Sequence, residues 1–304
     1  MKIENEFIKS IIQQDNPIPF VWQKTLNLWL SHINENLQDY YYHGEEDICA
    51  FEDFLLNTYE EFFSKELPKA CLNTSSPFKY AAEDTCFIVM DGMSIREGVL
   101  INRALNKKGF LSKISYSLSS MPSDTQSYKE KIKSDLSNST EFIAISNPKK
   151  ILISGKEKYI WSHFPDVMLD KIQAGHTVIT DLEQMYKIAE KIVFEILEQT
   201  NYKKIIILSD HGYIRSESGF AFTVNSEKGR KNLRDTFGNS RSISMEDVNN
   251  DFPEFIKAKY VIDFSGYYLV KSRFTWPIGG KYNIYLHGGV SLMECFVPVI
   301  EVKK

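Results

Sequence analysis

DLEQMYKIAEKIVFEILEQTNYKKIIILSDHG, residues 181–212, holds in one stretch the two periodicities that decide the fold. Leu182, Met185, Ala189, Ile192, Val193 and Ile196 recur at helical spacing and form one apolar stripe between Asp181 and Thr200. Residues 204–209 (KIIILS) come next as an unbroken apolar run, the pattern of a strand buried on both faces, and lead into Asp210-His211-Gly212. A helix feeding a doubly buried strand is the repeating unit of a parallel sheet. The same alternation extends outward, with strands expected at 85–90 (TCFIVM), 111–118, 141–145, 158–163, 260–264, 267–271 and 296–302. The expected fold class is therefore α/β, a mostly parallel sheet sandwiched by helices.

Residues 1–80 have another texture. Trp22, Leu26, Trp29, Ile33, Leu37 and Tyr40 recur at spacings of three and four, as do Ile48, Phe51, Leu55, Tyr59 and Phe62. His43-Gly44 is predicted as the turn between two amphipathic helices, and Leu67-Pro68 as the end of the second. The linker-like NTSSP at 73–77 sets an expected boundary near residue 80. It divides a helical segment, 1–80, with a docking or regulatory role from an α/β domain, 81–304. Charge shows the same division: 13 acids against 6 bases up to residue 80, and 27 against 30 beyond it.

The net charge of −4 argues against a general nucleic-acid binder, and 304 residues with 43% hydrophobic content suffice for a sizeable core. No apolar run nears the roughly 20 residues that span a bilayer, and MKIENEFIKSIIQQDN is too polar for a secretory signal, so a cytoplasmic protein is expected. Cys49, Cys71, Cys86 and Cys295 show no CxxC pairing and are expected as free thiols without disulfide or metal.

Ligands of open parallel sheets bind at the carboxyl ends of the strands, which directs attention to the polar residues immediately after apolar runs. Four places qualify: Asp91-Gly92 after FIVM, Asp166 and Asp170 after KYIWSHFP, Asp210-His211-Gly212 after IIILS, and His287-Gly288-Gly289. Singly, each has a plain alternative: a turn, a pair of solvated helix acids, or a loop histidine. Asp166 and Asp170 stand four apart and would share one helix face. Jointly, carboxylates and imidazoles from four strand ends are the donors a two-metal site needs. His163 and His176 lie close by, with a structural or surface role as the plainer reading. The basic stretch 228–241 (KGRKNLRDTFGNSR) offers Arg230, Lys231 and Arg234 as candidate phosphate-binding residues; a solvated loop is the alternative.

FIVMDGM, MPSDTQSY, ILSDHG and HGGVSLMECFVPVI together resemble the PglZ domain, a branch of the alkaline phosphatase superfamily found in bacterial signalling and phage-defence proteins. The resemblance covers residues 85–302 and is most specific in HGGVSLMECFVPVI. It implies an alkaline-phosphatase-like fold and a threonine nucleophile at Thr125 within Pro122-Ser123-Asp124-Thr125, with Ser123 as second choice. It also implies two divalent cations, zinc first and manganese as the alternative. Asp91, Thr125, Asp210 and His211 would surround one, and Asp166, Asp170 and His287 the other. Asp170 stands where many superfamily members carry histidine, and Gln126-Ser127-Tyr128 comes after the nucleophile where some phosphodiesterase relatives have asparagine.

The resulting expectation is a two-metal phosphodiesterase acting on nucleotides or oligonucleotides in bacterial signalling or phage defence. A non-catalytic scaffold subunit of a defence complex and a phosphomonoesterase are the alternatives. The acidic, aromatic-rich helices at the start are a candidate surface for a protein partner or a second copy of the chain.

Overall fold

The structure is a computed structural model that describes residues 5–80, 82–133, 135–136, 141–174, 181–248, 252–278 and 284–304. The chain enters through helices α1 (Asn5–Gln13), α2 (Ile18–Ser31), α3 (Leu37–Thr58) and α4 (Leu67–Asn73). It continues through β1 (Thr85–Met90), α5 (Ile95–Lys107), β2 (Leu111–Leu118), α6 (Thr125–Lys133), β3 (Ile143–Ile145), β4 (Tyr159–Ser162), α7 (Asp166–Ala174), α8 (Leu182–Gln199) and β5 (Lys204–Leu208). Two short strands, β6 (Ile214–Arg215) and β7 (Phe222–Thr223), lead to α9 (Glu227–Phe237), β8 (Ser242–Ser244), α10 (Glu254–Tyr260), β9 (Val261–Phe264) and β10 (Tyr267–Val270). The chain closes with β11 (Phe274–Thr275), β12 (Tyr285–Leu286), α11 (Leu292–Cys295) and β13 (Phe296–Lys303).

The central sheet runs β2-β13-β5-β1-β4-β3. β1 pairs in parallel with both β4 and β5, and β3 with β4, while β13 alone runs against its neighbours β2 and β5. The sheet is thus mostly parallel, as expected, with one reversed strand in its interior. Successive residues of β1 point to opposite faces, and both faces are covered. Cys86, Ile88 and Met90 enter the large core with α5 and α8, whereas Phe87 and Val89 meet Tyr128 and Ile132 of α6 on the other side. The α8 stripe is buried as its spacing demands, and Asp181 caps the helix by accepting from the Gln184 N–H at 2.9 Å. Strands 260–264 and 267–271 of the sequence reading appear as β9 and β10, but in a separate sheet with β8.

Two expectations for the N-terminal helices are corrected. His43-Gly44 is not a turn: α3 runs through it, and the turn lies between Ser31 and Leu37. Gly44 sits mid-helix because the Trp29 ring of α2 packs on its backbone, so close that a Cβ there would lie 2.2 Å from the ring. Leu67-Pro68 does not end the second long helix, which stops at Thr58; it follows a π-helical turn, Phe62–Glu66, and opens α4 with proline in the first turn.

One core is continuous across residue 80. Trp22, Trp29, Tyr40, Ile48 and Phe51 belong to the same buried cluster as Ile101, Ile192 and Phe296. Buried charges cross it as well. Glu45 of α3 takes Arg96 bidentately at 2.8 and 2.9 Å and Arg273 at 2.6 Å, and Glu52, further along the same helix, takes Arg273 at 3.0 Å. Tyr41 and Tyr213 both donate to Glu97, while Arg241 pairs with Glu294 at 2.7 Å. Among the described residues no helix is long and apolar enough to cross a membrane, and all four cysteines are free.

Candidate active site

The C-terminal ends of β1, β4 and β5 open at one edge of the sheet, and the side chains just beyond them meet around Thr125, the first residue of α6. Its Oγ1 lies 2.7 Å from Asp210 Oδ2, 3.0 Å from Asp91 Oδ1 and 3.2 Å from His211 Nε2. One hydroxyl proton cannot serve three such neighbours. Each carboxylate is oriented the same way, with one oxygen held by the scaffold and the other aimed at Thr125. Asp210 Oδ1 accepts from the N–H groups of Gly92 and His211, both at 3.0 Å, and Asp91 Oδ2 accepts from Trp161 Nε1 at 3.1 Å. His211 Nδ1 donates to the Gly212 carbonyl at 3.0 Å, which fixes the ring and turns Nε2 toward Thr125.

A second group adjoins the first. Asp166, His211 and His287 offer ligand atoms within 4.8 Å of one another, as do Asp91, Asp210 and His211. His211 therefore belongs to both, and its ring stacks on His287 at 4.2 Å. Asp166 starts α7, and its N–H donates to the Asp91 carbonyl at 3.0 Å. Gly92, at φ +70°, lets it come so near: a Cβ there would lie 3.0 Å from the Asp166 Cβ. Asp170, one turn on, lines a cavity of about 180 Å³ together with Asp166, Tyr213, Tyr285 and His287, but stands outside both ligand trios.

Electrostatics reflect four aspartates facing one another. Burial and the charge of Asp210 push the Asp91 carboxyl up, and burial with the charges of Asp166 and Asp91 does the same to Asp170. For His211, burial alone would lower the pKa, but Asp210, Asp166 and Asp91 outweigh it and push the imidazole up to about 9. His287 is held down by burial and by His211. Its Nδ1 is buried without a hydrogen-bond partner. Crowded acceptors, an orphaned imidazole nitrogen and carboxylates displaced upward suit divalent cations, which supply the missing positive charge.

The remaining candidates take other places. Ser123 is buried, donates to the Gly289 carbonyl at 2.8 Å and accepts from the Gly288 N–H at 3.1 Å, so it braces the His287 loop and leaves Thr125 facing the acids. His163 Nδ1 lies 3.9 Å from Asp91 Oδ2, and His176 lies outside the described residues. Arg230, Lys231 and Arg234 line a separate hollow along α9 and do not border the cavity with Asp166 and His287. Arg241, counted with that basic stretch, is buried against Glu294, which also accepts from the Gly289 N–H at 2.8 Å. Sequence reasoning missed Trp161, Arg241 and Glu294 as supports of the site. The HGG loop preceding Glu294 was the available signal for the last of these. A neighbouring cavity of about 190 Å³ shares Asn239, Ser240 and Leu286 with the first and is walled by Phe274 and Trp276.

A family model described as the BREX system PglZ alkaline phosphatase-like domain matches residues 146–302. The alkaline phosphatase-like protein PglZ of Bacillus cereus is 27% identical over 158 residues, which are 50% of this chain and 18% of that protein. The chain thus spans less than a fifth of that curated relative. Among solved structures, phosphonoacetate hydrolase from Sinorhizobium meliloti 1021 in complex with phosphonoacetate aligns with a TM-score of 0.26 and 12% identity, over 48% of this chain and 45% of that one. An inactive murine ectonucleotide pyrophosphatase/phosphodiesterase 5 in complex with AMP aligns with a TM-score of 0.24 and 13% identity, over 48% and 46%.

Proposed function

The chain belongs to the PglZ family of alkaline phosphatase-like domains, and from that premise we propose that it is a two-metal phosphodiesterase with Thr125 as nucleophile, acting on nucleotides or oligonucleotides in bacterial signalling or phage defence. The observation that carries this reading is the convergence of Asp91, Asp210 and His211 on the Thr125 hydroxyl. Asp91, Thr125, Asp210 and His211 would hold one cation, and Asp166, Asp170 and His287 the other, as zinc or, given the oxygen-rich donor set, manganese. Bound divalent cations supply Lewis-acid stabilisation of the attacking and leaving oxygens.

The chain's own groups do the rest. Thr125 Oγ1 attacks phosphorus in line, and its proton passes to Asp210 Oδ2, 2.7 Å away. The N-terminus of the nine-residue α6, on which Thr125 sits, favours the negative charge that develops there. The bond to the leaving oxygen breaks as the bond to Thr125 forms, and the departing alkoxide takes the proton from Asp210. Water then hydrolyses the threonyl phosphodiester, releasing the phosphomonoester and restoring the Thr125 hydroxyl. Preference for diesters is supported by charge. Among the described residues no lysine or arginine lines the cavity with Asp166, Asp170 and His287, and a diester carries one negative charge fewer than a monoester dianion. The adjoining cavity walled by Phe274 and Trp276 offers a planar leaving group an apolar seat. As part of the same proposal, the outer faces of the N-terminal helices, where Ile12, Phe20, Leu30 and Tyr42 are exposed, serve a protein partner or a second copy.

The test is hydrolysis of bis(p-nitrophenyl) phosphate and p-nitrophenyl phosphate by the purified chain with zinc or manganese. Diester turnover should dominate, and Thr125→Ala should lower it by at least about 10³-fold while the protein stays folded. Unchanged turnover in that variant would overturn the nucleophile. A preference for the monoester would point to a phosphomonoesterase, and silence with either metal to a scaffold.

A further inference from the structure

The five histidines among the described residues fall into two groups, and only His163, His211 and His287 stand at the candidate active site. His32 and His43 meet elsewhere. His32 caps the C-terminus of α2, His43 lies nearly two turns into α3, and the close approach of Trp29 to Gly44 brings their rings to 5.7 Å. Glu35, in the turn between the helices, stands between them. One of its oxygens is 2.9 Å from His32 Nδ1 and the other 2.8 Å from His43 Nδ1. On the far side of the first ring, His32 Nε2 lies 3.1 Å from Asp47 Oδ2. An isolated surface ion pair explains one such contact. It does not explain a carboxylate shared by two imidazoles while a second carboxylate fixes the outer nitrogen of one of them.

We propose that His32, Glu35 and His43 form a binding site for a divalent transition metal of the zinc class, separate from the candidate active site, with water completing the coordination and Asp47 as the outer carboxylate. Two imidazoles and a carboxylate are a donor set that zinc accepts. Their ligand atoms lie within 4.8 Å of one another, and tetrahedral bonds of about 2.0–2.1 Å need them about 3.4 Å apart, so small side-chain movements suffice. Asp47 accepts a hydrogen bond from His32 Nε2 and so leaves Nδ1 as the nitrogen that binds an ion once its proton is gone, the arrangement that outer carboxylates give metal-binding histidines. Any proton on the two inward nitrogens is released to solvent as the ion enters. The excess of 13 acids over 6 bases in residues 1–80 draws cations to this end of the chain. An ion here would tie the end of α2 to α3, the helix that carries Glu45 and Glu52 into the arginine pairs.

The experiment compares the full chain with His43→Gln after chelation and dialysis against stoichiometric zinc. His43 is about half exposed, so the substitution removes a ligand without opening the core. The variant should retain one zinc equivalent fewer than the parent, whatever number the catalytic cluster takes. A second measurement uses the unaltered chain: modification of histidines by diethyl pyrocarbonate, mapped by peptide. Zinc at about ten times its dissociation constant should slow labelling of His32 and His43 about tenfold. Equal zinc content in the two proteins, or labelling of His32 and His43 indifferent to zinc, would overturn the site. Neither result depends on hydrolysis.

Discussion

Two charge clusters have buried carboxylates at their centres, Glu45 and Glu52 in one, Asp91 and Asp210 in the other, and they are built on opposite principles. In the one that crosses residue 80, arginines and glutamates alternate: Glu45 with Arg96 and Arg273, Glu52 with Arg273, Glu294 with Arg241. Backbone carbonyls and hydroxyls take up most of what remains, with Arg273 Nη2 as the exception. In the cluster around Thr125, four aspartates face the imidazoles of His211 and His287, with His163 3.9 Å from Asp91 at the rim, and among the described residues no lysine or arginine pairs with the carboxylates of Asp91 and Asp210. A cluster balanced by its own side chains braces the fold, whereas one with surplus negative charge is complete only with something the chain does not supply. Burial alone would not have told them apart; the sign balance does.

The contrast can be broken most directly by removing a glutamate from the balanced cluster. Glu45→Ala strands the buried Arg96 guanidinium, leaves Arg273 to Glu52 alone, and should cost about 3–5 kcal/mol, read from the urea midpoint. The same operation on the other cluster, Asp91→Asn in chelated protein, removes like-charge repulsion and should raise the midpoint. A loss for Asp91→Asn as large as that for Glu45→Ala would erase the distinction.

The pH dependence of the metal-free protein sharpens it further. Asp91 and His211 both bind protons more tightly in the folded chain than in the unfolded one. Between the unfolded and folded values the native state therefore holds the extra protons, and stability falls as pH rises. For His211 that window runs from 6.5 to about 9. His287, held down by burial, titrates below it. With chelator the Tm should decline by several degrees from pH 6.5 to 9, and saturating zinc should flatten or reverse the decline. A flat profile in chelator would contradict the surplus-charge account. The smallest effect is expected at the margin of the cluster. Trp161→Phe removes the indole donor that orients Asp91, and should lower kcat/KM for the diester roughly tenfold, about 1–1.5 kcal/mol, with the fold unchanged.

Much of the α/β core was legible because its strands are buried on both sides. TCFIVM and KIIIL read as continuous apolar runs only because Phe87 and Val89 meet α6 while Ile88 and Met90 meet α5 and α8. Strand-end reasoning brought Asp91, Asp166, Asp210 and His287 under one heading before any distance was known, since a parallel sheet gathers the loops at the carboxyl ends of its strands along one edge. The N-terminal helices were read less well. Gly44 looks like a turn locally, and only the Trp29 ring, fifteen positions back, explains it as a packing residue. The balanced cluster left no trace in periodicity. Glu45, Arg96 and Arg273 are far apart in the chain, and charges on amphipathic helices read as solvated. Nor does an apolar run such as FVPVI state which way its strand will point.

That last point bears on how the molecule can be made. β13 sits between β2 and β5, whose paired residues precede it by about 180 and about 90 positions. Until Phe296–Lys303 has been synthesised, two strand edges that end up in the middle of the sheet stay open, and the ribosome holds a half-sheet with a slot in it. Closure is a late event of high sequence separation, which is slow, and the open edges invite pairing with other chains in the meantime. The strand that fills the slot thus sets the moment at which a nascent chain stops being a hazard to its neighbours.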